Sequence, residues 1–117
     1  MATIYDLKNN IETEKNKLTK AMENETILDI KINLEHNLKV CEKQLKVIEL
    51  ALQNVNRAEE LQNEWKQTDD KEARQTINNE LYNLQARQNE ITTYIKDLEE
   101  EKMDIKASYK AFKGETF

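Results

Sequence analysis

Few side chains in this sequence could act as a nucleophile or a metal ligand. The 117 residues include one histidine, His36, and one cysteine, Cys41. On a helix, residues five positions apart point to different sides, which is poor geometry for a Cys–His nucleophilic pair. The neighbouring carboxylate, Glu35, also projects away from His36 if the segment is helical. The spacing therefore predicts neither a catalytic pair nor a metal site.

The many carboxylates have a simpler explanation than catalysis. Several stand four residues before a lysine, as in Glu35–Lys39 and Glu42–Lys46, and such pairs stabilise the exposed surface of a helix. The only glycine is Gly114, so no Gly-rich loop is available to hold a phosphate group. We predict that the protein is not an enzyme and has no catalytic residue, cofactor or metal ion.

The composition predicts an all-α protein. Charged residues make up 35% of the chain, there is no proline, and the common residues favour helices over strands. Intrinsic disorder is the alternative for so hydrophilic a chain, but disordered segments lack the regular apolar spacing found here. A net charge of −5, with no basic block and with aromatic residues away from basic ones, disfavours nucleic-acid binding.

The sequence also predicts a cytoplasmic protein. Its apolar runs are only a few residues long, too short to span a membrane. The first residues, MATIYDLKNN, contain no apolar core of a secretory signal. A single cysteine cannot form an internal disulfide and suits a reducing compartment.

Three helices in a single domain are predicted, over residues 3–23, 25–67 and 70–112. Thr3 and Asp6 have the spacing of a capping box, and Gly114 suits the end of the third helix. Whether the first two helices are continuous stays open, because neither Gly nor Pro separates them.

Apolar residues in the two longer helices predict a long antiparallel coiled-coil hairpin. In the second helix they recur at alternating steps of four and three from Leu34 to Val55. In the third helix the same spacing runs from Ile77 to Phe112, with Gln88 and Lys102 at two of its positions. A polar turn at 68–70 would fold the second stripe back on the first. This register places Cys41 near Ile95 and Ile48 opposite Gln88. We expect the shorter first helix to pack at the open end, beside residues 26–50 and 90–112.

The distal half of this hairpin, about residues 50–87, would contain only two helices. Two helices without a third one against them bury too little apolar surface to offset the conformational entropy lost on folding. We therefore predict a homodimer or contact with another protein. Trp65 has an alternative role, in which it only fills the hairpin turn. The residues predicted to contact a partner are Leu50, Leu61, Trp65 and Tyr82.

Ile4, Tyr5, Asp6 and Leu7 open the first helix, and Lys-, Asn- and Ile-rich helices follow. This start resembles small helical early-region proteins of bacteriophages that infect low-GC Gram-positive bacteria. The resemblance implies a viral protein that binds a host or mobile-element protein, for example as an inhibitor of a defence or replication protein or by releasing a repressor. A structural coiled coil, such as a scaffold or spacer, is the alternative.

Overall fold

The computed structural model describes residues 3–117, which form four α-helices and contain no strand. The helices are α1 (Ile4–Asn24), α2 (Leu28–Gln67), α3 (Lys71–Glu100) and α4 (Ile105–Lys113). The prediction of an all-α protein is thus confirmed. The molecule is elongated, with principal extents of 66 × 22 × 20 Å, and α2 packs against each of the other three helices.

A side-chain cap explains where α1 begins, and Glu25 fixes the link that follows it. At its start, the Asp6 amide donates to Thr3 Oγ1 (3.2 Å) and the Thr3 amide donates to Asp6 Oδ2 (3.1 Å), which completes a capping box. At its end, the Glu25 carboxylate accepts the amides of Thr26 (3.0 Å) and Ile27 (2.9 Å). Because Glu25 has an extended backbone, α1 and α2 are separate helices.

The break between α2 and α3 lies at the polar stretch 68–70, as the sequence predicts. Asp70 caps α3 by accepting the amide of Glu72 (3.2 Å). The Arg74 guanidinium reaches back and donates to the carbonyl oxygen of Thr68 (2.8 Å). The turn is therefore closed by side chains from the first residues of α3.

The predicted third helix over 70–112 is instead two helices, because α3 ends at Glu100 and α4 begins at Ile105. Asn37 of α2 holds the intervening backbone, since it donates to the Met103 carbonyl oxygen (2.9 Å) and accepts the Met103 amide (2.7 Å). His36 Nε2 donates to the Glu101 carbonyl oxygen (2.7 Å). Asp104 then caps α4 through the amide of Ala107 (3.1 Å).

The contacts between α2 and α3 also differ from the predicted register by about three residues. Gln44, rather than Cys41, reaches the Ile95 backbone (3.3 Å), and Gln88 donates to the Ala51 carbonyl oxygen (3.1 Å) rather than facing Ile48. The predicted register places the apolar stripe of α2 against the third helix. Cys41 instead meets Glu14 of α1, and the buried amide Gln44 faces α3.

Two cores hold the helices together, one at each end of the molecule. The larger core is at the open end, where α1, α2, α4 and the last turns of α3 meet. The smaller core lies in the distal half, between α2 and α3. The buried residues of the larger core are Ile11, Leu18, Ile30, Leu34, Cys41, Ile48, Ile95, Ile105 and Tyr109, and those of the smaller core are Leu61, Ile77 and Leu84.

We predict that Asn37→Ala lowers the free energy of unfolding by about 1–3 kcal/mol, because the Met103 amide and carbonyl lose their partner in a partly buried position. Urea unfolding followed by circular dichroism measures this change. Asn56→Ala, at an exposed position of α2, is the control and should not destabilise the protein. Equal unfolding midpoints for the two variants would contradict the role given to Asn37.

Candidate functional site

A polar cluster at the open end surrounds two buried titratable groups, Lys102 and Cys41. The Lys102 ammonium lies between Glu14 Oε2 of α1 (2.5 Å) and Glu99 Oε2 of α3 (2.6 Å), and its side chain is only 8% exposed. The Cys41 thiol donates to Glu14 (3.3 Å), and the Gln44 amide donates to Glu99 (2.9 Å). The cluster therefore joins α1, α2 and α3 to the turn before α4.

The protonation states of this cluster suit structure rather than catalysis. Burial raises the pKa of Cys41 to about 12, so the thiol stays protonated and is a poor nucleophile. Burial disfavours the charged forms of Lys102 and Glu99, but their hydrogen bonds outweigh it: the pKa of Lys102 is raised and that of Glu99 is lowered. An ammonium and a carboxylate fixed in these states have little capacity to exchange protons near neutral pH.

A second buried ion pair ties the α1–α2 link to the end of α4. Glu25 Oε2 lies 2.8 Å from Lys113 Nζ, and the Glu25 side chain is almost fully buried. The hydrogen bond from Lys113, followed by that from the Ile27 amide, lowers the pKa of Glu25. The same hydrogen bond raises the pKa of Lys113. Neither member of the pair was singled out from the sequence, because they are 88 positions apart.

Residues 3–117 contain neither a cluster of potential metal ligands nor a helix that could span a membrane. No three His, Cys, Asp or Glu side chains there come close enough to hold a metal ion. His36 of α2 contacts the turn after α3, whereas Cys41 contacts α1, so the two side chains are not brought together. None of the described helices is both long and apolar enough to cross a membrane.

The distal half contains the residues predicted to contact a partner, and they have different environments. Leu61 is 1% exposed and packs with Ile77 and Leu84, so it is a core residue and is not available to a partner. Leu50 and Tyr82 are exposed, by 54% and 77%. Trp65 is partly exposed, and the Arg74 guanidinium stacks 4.1 Å from the centre of its ring.

The two flanks of the distal half differ in charge. On one flank, Arg57 bridges Glu80 of α3 (3.0 Å) to Glu60 (3.1 Å) and Glu64 (3.7 Å) of α2. These carboxylates, Glu80 first, raise the pKa of Arg57 above its already high value. Exposed ion pairs of this kind contribute little stability individually but leave the flank strongly polar.

The opposite flank carries an apolar groove between α2 and α3, which we call the distal groove. Its inner part encloses about 270 Å³ and its outer part about 170 Å³; Gln62 and Leu81 line both. Gln88 closes the inner end, where it accepts from Asn54 Nδ2 (3.1 Å). The lining residues are Asn54, Val55, Ala58, Gln62, Trp65, Lys66, Asn78, Leu81, Leu84, Gln85 and Gln88.

Of the predicted contact residues, only Trp65 lines the distal groove. Leu50 and Tyr82 lie outside it. The groove amides Gln62, Gln85 and Gln88 are not among the predicted contact residues, because amides are not typical anchors of protein interfaces. The available signal was that Gln62 continues the seven-residue spacing of Cys41, Ile48 and Val55.

We predict that acid destabilises the protein partly through Glu25 and Glu99. Their pKa values are lowered by folding, so their stabilisation is complete above the ordinary glutamate pKa and is lost as the pH falls through the lowered values. Melting temperatures from neutral pH down to about pH 3 measure this loss. Glu25→Gln should melt lower than wild type at neutral pH, and the difference should shrink in acid.

Glu23→Gln is the control for this experiment, because Glu23 is exposed on α1, two residues away. It should follow the wild-type pH profile throughout. A Glu25→Gln profile parallel to wild type at every pH would show that the Glu25–Lys113 pair does not contribute to acid sensitivity.

Comparison with known proteins finds no matching family model and no significant match among curated proteins or solved structures. The function must therefore be inferred from the chain's own surface and chemistry.

Proposed function

We propose that this protein is a non-enzymatic protein–protein interaction module whose binding surface is the distal half of α2 and α3. The observation that carries the proposal is the distal groove, an apolar groove between two helices with the partly exposed Trp65 in its lining; Tyr82 is exposed in the same half. Trp and Tyr contribute disproportionately to binding energy at protein interfaces. The polar cluster at the open end is committed to internal contacts and offers no competing chemical site.

In this proposal α2 and α3 act as a stiff antiparallel coiled-coil hairpin that carries the binding surface away from the open end. Cross-helix hydrogen bonds support this arrangement, because they pair early residues of α2 with late residues of the chain and late residues of α2 with early residues of α3. Asn37 meets Met103, Gln44 meets Ile95, and Arg57 meets Glu80. A surface fixed in this way loses little conformational entropy on binding.

We further propose a bacteriophage origin and a target in the cytoplasm of the host cell. The support is the resemblance of the opening residues Ile4–Leu7 to small phage early-region proteins. Targets of this class would be a host defence protein, a replication protein or a repressor, which the module would inhibit or modulate. Asp6 within this opening also completes the α1 capping box, so that residue has a structural reason to be present.

A structural or assembly coiled coil is the second candidate, and the elongated shape of 66 × 22 × 20 Å favours it. A scaffold or spacer would grow into larger particles with concentration, whereas a modulator would form a small complex of fixed composition. Nucleic-acid binding is less favoured, because the net charge is −5 and the acidic residues outnumber the basic ones by 23 to 18.

We predict that the immobilised protein captures a host protein from a Gram-positive lysate and that Tyr82→Ala weakens the capture by about tenfold or more. Tyr82 is exposed, so the variant should keep the wild-type melting temperature. Tyr5→Ala is the control: Tyr5 is 53% exposed on α1, outside the distal half, and the variant should capture like wild type. Mass spectrometry identifies the captured protein, and titration with the purified target gives the affinities.

Trp65→Ala tests whether Trp65 contacts a partner or only fills the turn between α2 and α3. Loss of its stacking with Arg74 should cost only about 0.5–1 kcal/mol of stability, because the pair is partly exposed. If Trp65 is an anchor, capture falls while the protein stays folded. If Trp65 only fills the turn, melting falls and capture is kept. Unchanged capture by both Tyr82→Ala and Trp65→Ala would remove the support for this surface.

A further inference from the structure

We propose that the distal groove is a self-association surface, on which a second copy of this chain packs groove to groove in an antiparallel pair. This inference rests on the proposed function, because it names the first partner of the same distal half. Three observations carry it: the groove prolongs the slot that α1 fills, the distal core is small, and the residues lining the groove lack carboxylates.

The distal groove continues the slot occupied by α1. Cys41 and Val55 stand on one line of α2, two heptads apart. α1 covers the first part of this line, with Glu14 beside Cys41. Since the short link at 25–27 makes α1 run back along α2, Ile4, ten residues before Glu14, lies level with Ala51. The groove opens about one turn beyond that point, where α1 has ended.

The distal half has less burial than the open end. Its core contains three buried residues, against nine at the open end where α1 supplies a third layer. Each fully buried Leu or Ile contributes roughly 1.5–3 kcal/mol, while fixing the backbone costs roughly 1–2 kcal/mol per residue. A second copy that covers Val55, Ala58 and Leu81 would supply the layer that α1 supplies elsewhere.

The charge of the groove favours a second copy over a strongly charged partner. None of the residues that line it is acidic, although the whole chain contains 23 acidic residues. Two copies with a net charge of −5 each would repel through most of their surface, but not through this flank. The amides of Gln62 and Gln85 both donate and accept hydrogen bonds, so a surface built from them can pair with itself.

The position of Lys66 decides the direction of the pairing. Lys66 is the one charged residue in the lining, and it lies at the outer end. In a parallel pair the two Lys66 ammonium groups would be opposed. In an antiparallel pair about the centre of the groove, they lie at opposite ends, roughly 18 Å apart at 1.5 Å per residue. That separation exceeds the Debye length of about 8–10 Å, so salt screens the remaining repulsion.

We predict that the double variant Gln62→Glu with Asn78→Glu raises the dimer dissociation constant by at least about tenfold, because both residues lie near the centre of the groove and four carboxylates would meet there. Sedimentation velocity over a concentration series measures the dissociation constant. The matched control is Gln53→Glu with Gln75→Glu, which changes the net charge equally at exposed positions outside the groove. Wild type and control should dimerise alike, and circular dichroism should show full helicity in all three proteins.

Disulfide trapping tests the antiparallel geometry. Gln62 lines both parts of the groove, so it lies near the proposed two-fold axis and close to its counterpart. Gln62→Cys should form a disulfide-linked dimer under mild oxidation more readily than Gln53→Cys. Cys41 adds little background, because it is buried and its pKa is raised to about 12.

The outcomes separate this inference from the proposed function. A wild-type protein that stays monomeric at every concentration, or a dimer that the groove variant does not weaken, overturns self-association through the groove. If that monomer still captures a host protein through Tyr82, the proposed function stands. A groove-dependent dimer that captures no other protein supports this inference and contradicts the proposal that the protein binds a host target.

Discussion

Lys102 is a cation at a position where the apolar repeat of the third predicted helix buries a side chain. The architecture of the open end follows from the need to neutralise this buried charge. A buried ammonium is tolerated only with opposite charges beside it, and Glu14 and Glu99 supply them from two different helices. Because these carboxylates lie on α1 and α3, the same contacts fix α1 against the end of α3. The backbone leaves the helical path at this point, and Asn37 accepts and donates the hydrogen bonds of Met103 there.

The end of α3 has a second consequence for packing. Once α3 stops at Glu100, α4 can turn and cover α2 separately, and Ile105 and Tyr109 become part of the main core. The Glu25–Lys113 pair then joins the last turn of α4 to the link between α1 and α2. The open end is thus tied by two ion pairs between distant parts of the chain. The distal half has a cross-helix ion network only on its surface, around Arg57.

This difference between the two ends gives the functional proposal its physical basis. At the open end, burial explains the raised pKa of Cys41, and hydrogen bonds within the chain explain the raised pKa values of Lys102 and Lys113. The distal groove, an apolar groove between α2 and α3, lies instead in the distal half. A groove with amide walls and an apolar floor is suited to another helical surface. It presents few fixed charges that would demand one particular small ligand.

The all-α fold, the polar turn at 68–70 and the Thr3–Asp6 cap could be predicted from the sequence, because helix propensity, apolar spacing and capping are local properties. The locations of exposed Leu50 and Tyr82 in the distal half were also predictable. What only the tertiary structure decided was which face of α2 meets which helix. Periodicity alone does not reveal that Gln44 is buried against α3, that Leu61 is core, or that Lys102 pairs with Glu14 across 88 positions of sequence. Those outcomes depend on contacts between distant segments, and a linear pattern carries no information about such partners.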